Sequence, residues 1–357
     1  MSHEITVTNG TAFYAGELSA WHQLGTVVGR PMAAQEALEF ANLAGWNVRK
    51  VPVWADVSHD EAAKGNYVSG RSQTRGLLFD NQYATVFDNP VTKLVEPIAI
   101  VGEQYTPIQS EKAAEFGQAI IDEVGPNVVS LGSLRGHAQI FMVIKLPQTM
   151  VLENDNGRDV TEFYLTIFNS FDGSSKMFAI ITSIRVVCAN TARAAIAGAP
   201  SKFGVAHTSG WQGNVAKARE VLGLSFKYEE AFEAKVREEL FGVPMSLDEM
   251  TGFAADLTKL TDAKTEQTKT QRQNVTNGIV KLFVESPTIK GTPIAGTRFA
   301  AYNAVTEYVD HHSVGLRGSK DADEGTVKTL RATRTVTNLA SDTDTTFKTA
   351  AWKLLTV

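Results

Sequence analysis

Three features of the 357-residue chain predict an α+β fold, an antiparallel β-hairpin sheet packed with helices and followed by a helical C-terminal region. Residues 128–187 carry alternating apolar runs broken by short turn signals, the pattern of successive hairpins. Two stretches ahead of them, around residues 32–46 and 110–124, repeat apolar side chains at helical spacing. Beyond about residue 210 the alternation gives way to helical stripes. The expected division is an N-terminal arm over 1–30, an α+β core domain over 31–210 and a helical C-terminal domain over 211–357.

The first helix, MAAQEALEFANLAGW, places Ala34, Ala37, Leu38 and Ala41 on one face and stops at Gly45. NVRKVPVWADV then reads as an edge strand, because Pro52 has no amide to give to a ladder. GLLFDNQYATVFD reads as a hairpin turning at Asp80-Asn81, with Tyr83, Thr85 and Phe87 sharing a face. Ser110 opens the second helix, which buries Ala113, Phe116, Ile120, Ile121 and Val124 and ends at Gly125-Pro126. A hairpin turning at Arg135-Gly136 follows, its return strand showing Ile140, Met142, Ile144 and Leu146 on one side. The next hairpin runs EFYLTIFNS, turns through FDGSS, and returns as KMFAIITSIRVV. That return strand is expected to run into a short helix, TARAAIAG, capped by Asn190 or Thr191. In the C-terminal region Val215, Ala218, Val221 and Leu222 form one stripe and Ala301, Ala304, Val305, Tyr308 and Val309 another. The polar segment 258–274 is either a long helix or a loose connection.

Composition narrows the function classes. The net charge of −5 argues against a generally basic nucleic-acid coat, although residues 257–357 hold 14 Lys+Arg against 10 Asp+Glu. A single cysteine rules out an internal disulfide and fits a reducing cytoplasm. No apolar run reaches transmembrane length, and the start lacks a basic-then-apolar leader, so no membrane partner is expected.

Catalytic signatures are missing where chemistry would require them. DGSSK lacks the glycine that a phosphate loop needs four residues earlier, and no GxGxxG opens a helix after a strand. The seven histidines are scattered without ligand spacing, so neither a metal nor a cofactor is expected. Cys188 has no histidine near it in sequence to act as a base and reads as a packed thiol. What remains is a set of basic and aromatic residues suited to single-stranded DNA. Arg135 and Lys176 at hairpin tips, with Arg185 and Arg193 around the strand–helix junction, would neutralise phosphates. Tyr164, with Phe168 on the same strand, would stack on bases. Lys328, Arg331 and Arg334 recur every third residue and would make a basic stripe on a helix.

The stretches WHQLGTVV, GEQYTPIQ, SLRGHAQIF, NSFDGSS, ITSIRVVCANT and GTRFAAYNAVTEYVDH together resemble the phage- and plasmid-borne family known only as domain of unknown function 932. The resemblance implies a mobile-element product in a bacterial cytoplasm and carries no assigned activity. More distantly, a helix followed by hairpins and a strand entering a helix resembles the core of ring-forming single-strand annealing proteins. That likeness implies a homo-oligomer that binds and anneals single-stranded DNA without ATP. The expectation is therefore a non-enzymatic DNA-metabolism protein, the alternative being a structural or assembly protein of a phage or plasmid.

Overall fold

The computed structural model describes residues 12–14, 26–56, 76–121, 127–185, 190–192, 202–211, 225–312 and 345–356. Their arrangement is α+β: two β-sheets, with helices concentrated in the C-terminal region.

The larger sheet is built on four long neighbours, β6 (Val128–Leu134), β7 (Gln139–Asn154), β8 (Gly157–Ser170) and β9 (Met177–Arg185), each antiparallel to the next. β1 (Ala12–Tyr14) adds to β6, and β2 (Thr26–Val27) adds to β1 in parallel. The outer edge of β9 is shared by β10 (Asn190–Ala192) and β11 (Lys202–Val205). The smaller sheet has the order β3 (Arg49–Asp56), β4 (Gly76–Asp88), β5 (Val95–Gly102). Its two rim strands carry Pro52 and Pro97, and the edge position expected for β3 is what the sheet shows.

Three local expectations need correction. Asp80-Asn81 does not reverse the chain. Leu78 faces Trp54 and Tyr83 faces Pro52, so the intervening residues bulge out of one continuous strand, with Asn81 at φ 61°. Asn190 and Thr191 cap no helix; they pair with Arg185 and Ile184, satisfying ladder groups at the end of β9. The hairpin β7–β8 also extends well beyond Leu146. Pro147 sits in a register shift between Lys145 and Thr149, where its missing amide does no harm. Val215, Ala218, Val221, Leu222 and Cys188 lie outside the described residues.

Helix α1 (Ala34–Phe40) buries Ala34, Ala37 and Leu38 as its spacing predicts, and Gly45 follows at φ 69°. Helix α2 (Ser110–Ile121) crosses β7 and β8 closely: a Cβ on Gly117 would meet Ile167 Cγ1 at 2.9 Å. The strands beneath it are closed on both sides. Met142, Ile144, Leu165, Ile167 and Ala179 are buried on the α2 side, while Phe141, Val143, Thr166, Phe168, Phe178 and Ile180 are buried on the other. Near-continuous burial of this kind is the signature of a sheet covered on both faces.

The C-terminal helices are α3 (Ser225–Lys235, continuing as a π-turn to Phe241), α4 (Leu247–Thr258), α5 (Glu266–Glu285), α6 (Arg298–Glu307) and α7 (Thr345–Leu355). Ser246 and Glu249 close a capping box at the start of α4, and Thr265 and Thr297 cap α5 and α6. The polar segment 258–274 resolves into the end of α4, a short 3₁₀ turn and the first half of α5. An aromatic chain ties these helices to the sheet. Phe163 meets Phe232 edge-on at 5.9 Å, Phe232 stacks on Trp352 at 5.3 Å, and Trp352 meets Tyr302 at 5.1 Å. At the β7–β8 tip the Arg237 guanidinium donates to the Val151 carbonyl and Asn154 Nδ2 donates to that of Pro293.

α6 ends in a π-turn, Tyr308–His312, which turns Asp310 inward onto Lys348 of α7 at 2.5 Å. Both side chains are under 10 % exposed (7 % and 4 %), so neither charge has water to fall back on. Lys348→Met should therefore cost about 3–5 kcal/mol in urea unfolding by leaving Asp310 buried without its ammonium, and adding Asp310→Leu should recover most of the loss.

Candidate functional site

One end of the large sheet gathers three loops. They are the β6–β7 turn (135–138), the β8–β9 connection (171–176) and the exit from β5 (102–105). The turn is built from consecutive left-handed residues, Arg135, Gly136 and His137, at φ 54°, 62° and 72°. It is held from beneath by His137. The buried imidazole lies 5.3 Å from Trp46 and 5.2 Å from Phe87, and its Nδ1 is 3.2 Å from Ser133 Oγ. Burial lowers the His137 pKa, the nearby Glu96 carboxylate opposing. Arg135 is left exposed at the crest.

The β8–β9 connection is tied to that turn and to the β5 exit. Phe171 N donates to the Ala138 carbonyl at 2.7 Å and Gln139 Nε2 to Ser174 Oγ at 2.9 Å. Thr85 Oγ1 donates to the Phe171 carbonyl at 2.9 Å, and Tyr105 Oη to that of Ser170 at 2.6 Å. Within the loop one oxygen, Asp172 Oδ1, accepts from Ser170 Oγ, Ser174 N and Ser174 Oγ at 2.7, 2.9 and 2.6 Å. Gly173 next to it takes φ +72°, which lets the chain turn so tightly.

Between the β5 exit, the β8–β9 connection and Asn81 of β4 opens a pocket of about 610 Å³, lined among others by Asn81, Glu103, Gln104, Tyr105, Asp172 and Gly173. Behind it the buried ring of His207 stacks on Tyr105, centroids 4.9 Å apart and 24° between planes. Burial lowers the His207 pKa to about 4, the Thr106 backbone and the Asp172 carboxylate offsetting part of the effect. Burial, with Asp172 adding to it, lifts the Tyr105 hydroxyl well above its ordinary value. Both rings are thus neutral near pH 7. The wall offers two carboxylates, two amides and a phenol, a set that can bind hydrogen-bond donors and acceptors.

Of the residues expected at a DNA-binding surface, two stand on loops that are hydrogen-bonded to each other through neighbouring residues. Arg135 and Lys176 are both exposed and stand on adjoining loops. Arg185 ends β9, nine positions beyond Lys176, so their backbones are roughly 30 Å apart at ~3.3 Å per residue. Arg193, Lys328, Arg331 and Arg334 lie outside the described residues. Tyr164 and Phe168 are not open platforms. Tyr164 is 8 % exposed with its hydroxyl on Glu162, and Phe168 is 2 % exposed and stacked on Phe178 at 4.9 Å. The sheet is covered on both sides here, so strand alternation turns neither ring to solvent. Sequence reasoning passed over Tyr105, Asp172 and His207. The signal for Tyr105 and Asp172 lay in GEQYTPIQ and NSFDGSS, polar loop stretches that read only as turn and motif, while His207 read only as one of seven scattered histidines.

Among the described residues no group of three or more His, Cys, Asp or Glu side chains is placed to hold a metal, and no helix is long and apolar enough to cross a membrane. The fold is α+β, and its candidate site is a loop cluster at one end of the large sheet. Residues 97–352 match the model of the family described as Domain of unknown function (DUF932), and the chain belongs to that family. The matched span contains the β5 exit, both hairpin loops and His207. No curated protein and no solved structure matches the chain.

Between about pH 6.5 and 4 the unfolded chain takes up a proton at the His207 ring that the folded protein refuses. Stability from this group is complete above that window and declines as pH falls through it. Melting temperatures measured from pH 7.5 to 4.5 should drop toward acid, and His207→Phe should flatten part of the drop, with His137 supplying a further share.

Proposed function

We propose that the protein is a phage- or plasmid-type DNA-metabolism protein that binds single-stranded DNA at this loop cluster, as a homo-oligomer and without enzymatic turnover. The reading is carried by one observation: Arg135 and Lys176, both exposed, stand on hydrogen-bonded neighbouring loops, and the Lys176 loop also lines an open pocket of amides, carboxylates and Tyr105. Cations at a rim capture backbone phosphate without regard to sequence. Amides and carboxylates below it pair with base edges, carboxylates accepting from exocyclic amines. Only an unpaired base is free to enter such a pocket, because in a duplex those edges are already paired and stacked. The strand would be held by charge and base contacts alone, with no role for ATP or metal, and annealing would follow from keeping bases presented. Arg185, Arg193, Tyr164, Lys328, Arg331 and Arg334 do not enter this form of the reading.

A second reading, a structural or assembly protein of a mobile element, has its own support. Trp54, Phe79, Leu94, Val95 and Ile100 are 48 %, 47 %, 64 %, 58 % and 54 % exposed, and all belong to the three-stranded sheet or the turn entering β5. An apolar surface of that kind suits subunit contact.

Fluorescence anisotropy with a labelled oligonucleotide separates the two. Strand binding should weaken steeply with salt, and Arg135→Ala/Lys176→Ala should lower the slope of log K against log salt by about 1.4, two contacts at ~0.7 each. A response flat in salt, or a variant indistinguishable from wild type, would remove the strand-binding reading. Light scattering that shows assembly without any oligonucleotide binding would favour the second.

A further inference from the structure

Helix α5 is anchored by only one of its halves. Its C-terminal half buries Thr276, Ile279 and Phe283, and a Cβ on Gly278 would meet the Tyr308 ring at 2.5 Å. From Glu266 to Val275 no side chain is buried; Thr268, Arg272 and Val275 are half-covered and the rest exposed. At ~1.5 Å per residue the helix therefore presents about 15 Å of its length to solvent. It remains helical because Thr265 Oγ1 accepts from Thr268 N at 3.1 Å and the Arg272 guanidinium clasps the Lys259 carbonyl at the preceding turn.

A helix exposed merely for solubility is commonly laced with Glu–Lys pairs at i,i+4. This one is not. Its outward positions are Gln267, Lys269, Thr270, Gln273, Asn274 and Asn277, with Gln273 Nε2 donating to Asn277 Oδ1 at 2.8 Å. In a chain of net charge −5, residues 258–277 hold four cations, Lys259, Lys264, Lys269 and Arg272, against the two acids Asp262 and Glu266. None of the four is ion-paired with a carboxylate among the described residues. The surface thus combines local positive charge with side-chain amides, and little on it is apolar.

We propose that the N-terminal half of α5 is a docking surface for double-stranded DNA, the helix lying in the major groove. Gln and Asn amides match the donor and acceptor edges that bases present there, adenine above all, and lysines flanking the helix reach phosphates. The groove of B-form DNA admits an α-helix, whereas that of A-form RNA is too deep and narrow, so the partner is a DNA duplex. The surface is separate in sequence and element from the Arg135–Lys176 cluster, and its test is separable from that reading. A strand-handling protein with both would hold an unpaired strand at one place and a duplex at another.

The test uses the full chain with duplex and single-stranded oligonucleotides of one sequence. Wild type should bind duplex in a salt-dependent way. Lys264→Ala/Lys269→Ala should lower the duplex salt slope by about 1.8, at ~0.9 per phosphate contact, while single-strand affinity and circular dichroism stay unchanged. Gln273→Ala/Asn277→Ala should narrow the difference in affinity between duplexes of different sequence. Absence of duplex binding by wild type, or a lysine variant with undiminished duplex affinity, overturns the proposal. If single strands still bind in either case, the loop-cluster reading survives on its own.

Discussion

Burial of both faces of the β7–β8–β9 layer is the constraint on which the rest of the molecule depends. α2 closes one side through a contact so tight that Gly117 leaves no room for a Cβ, and the row Phe141, Phe168 and Phe178 is buried on the other. Such strands have no surface to offer a partner. Polar chemistry is displaced to the strand ends, where the backbone leaves its ladder and needs side chains to satisfy it. At one end Tyr105 and Thr85 donate to the Ser170 and Phe171 carbonyls and Asp172 accepts from Ser174 N, and Tyr105 and Asp172 also line the pocket. The candidate site is thus a consequence of how the sheet is terminated.

Much of this architecture was legible in the residues. Gly45, Pro52 and the Arg135-Gly136 pair each mark a place where backbone geometry excludes other continuations, and each stands where its chemistry predicts. The misreadings share one origin, since local signals are silent about what pairs or packs from elsewhere. Asp80-Asn81 suits a turn, but the neighbouring strand absorbs it as a bulge. Asn190-Thr191 suits a cap, but a free ladder edge on β9 takes it as a strand. Tyr164 and Phe168 lie on an alternating strand, and alternation normally promises one wet face. Here it does not, because what covers the second face comes from outside the strand. The site was visible only in part for a related reason. Charge at a hairpin tip can be read from sequence, whereas the stacking of Tyr105 on His207 joins positions about a hundred residues apart.

Placing neutral rings behind acidic and amide groups has an electrostatic effect. His207 resists protonation and Tyr105 resists ionisation, so between mild acid and mild base the pocket's charge is set by Glu103 and Asp172. Lys176, three residues beyond Gly173 on the same loop, and Arg135 on the turn bonded to that loop carry the opposite sign. On the strand-binding proposal, a polyanion would meet attraction at those loops and repulsion in the pocket, which would favour phosphate outside and uncharged bases inside.

The prolines on both outer strands of the three-stranded sheet constrain any higher-order state. A rim strand that carries a proline lacks one amide proton and is a poorer template for another chain, so growth of this sheet by edge addition is discouraged on either side. Subunits that met instead through exposed apolar side chains such as Ile100 would do so face to face. Contacts of that geometry, when they close by rotation, make assemblies of fixed number and leave no end from which a fibre could grow.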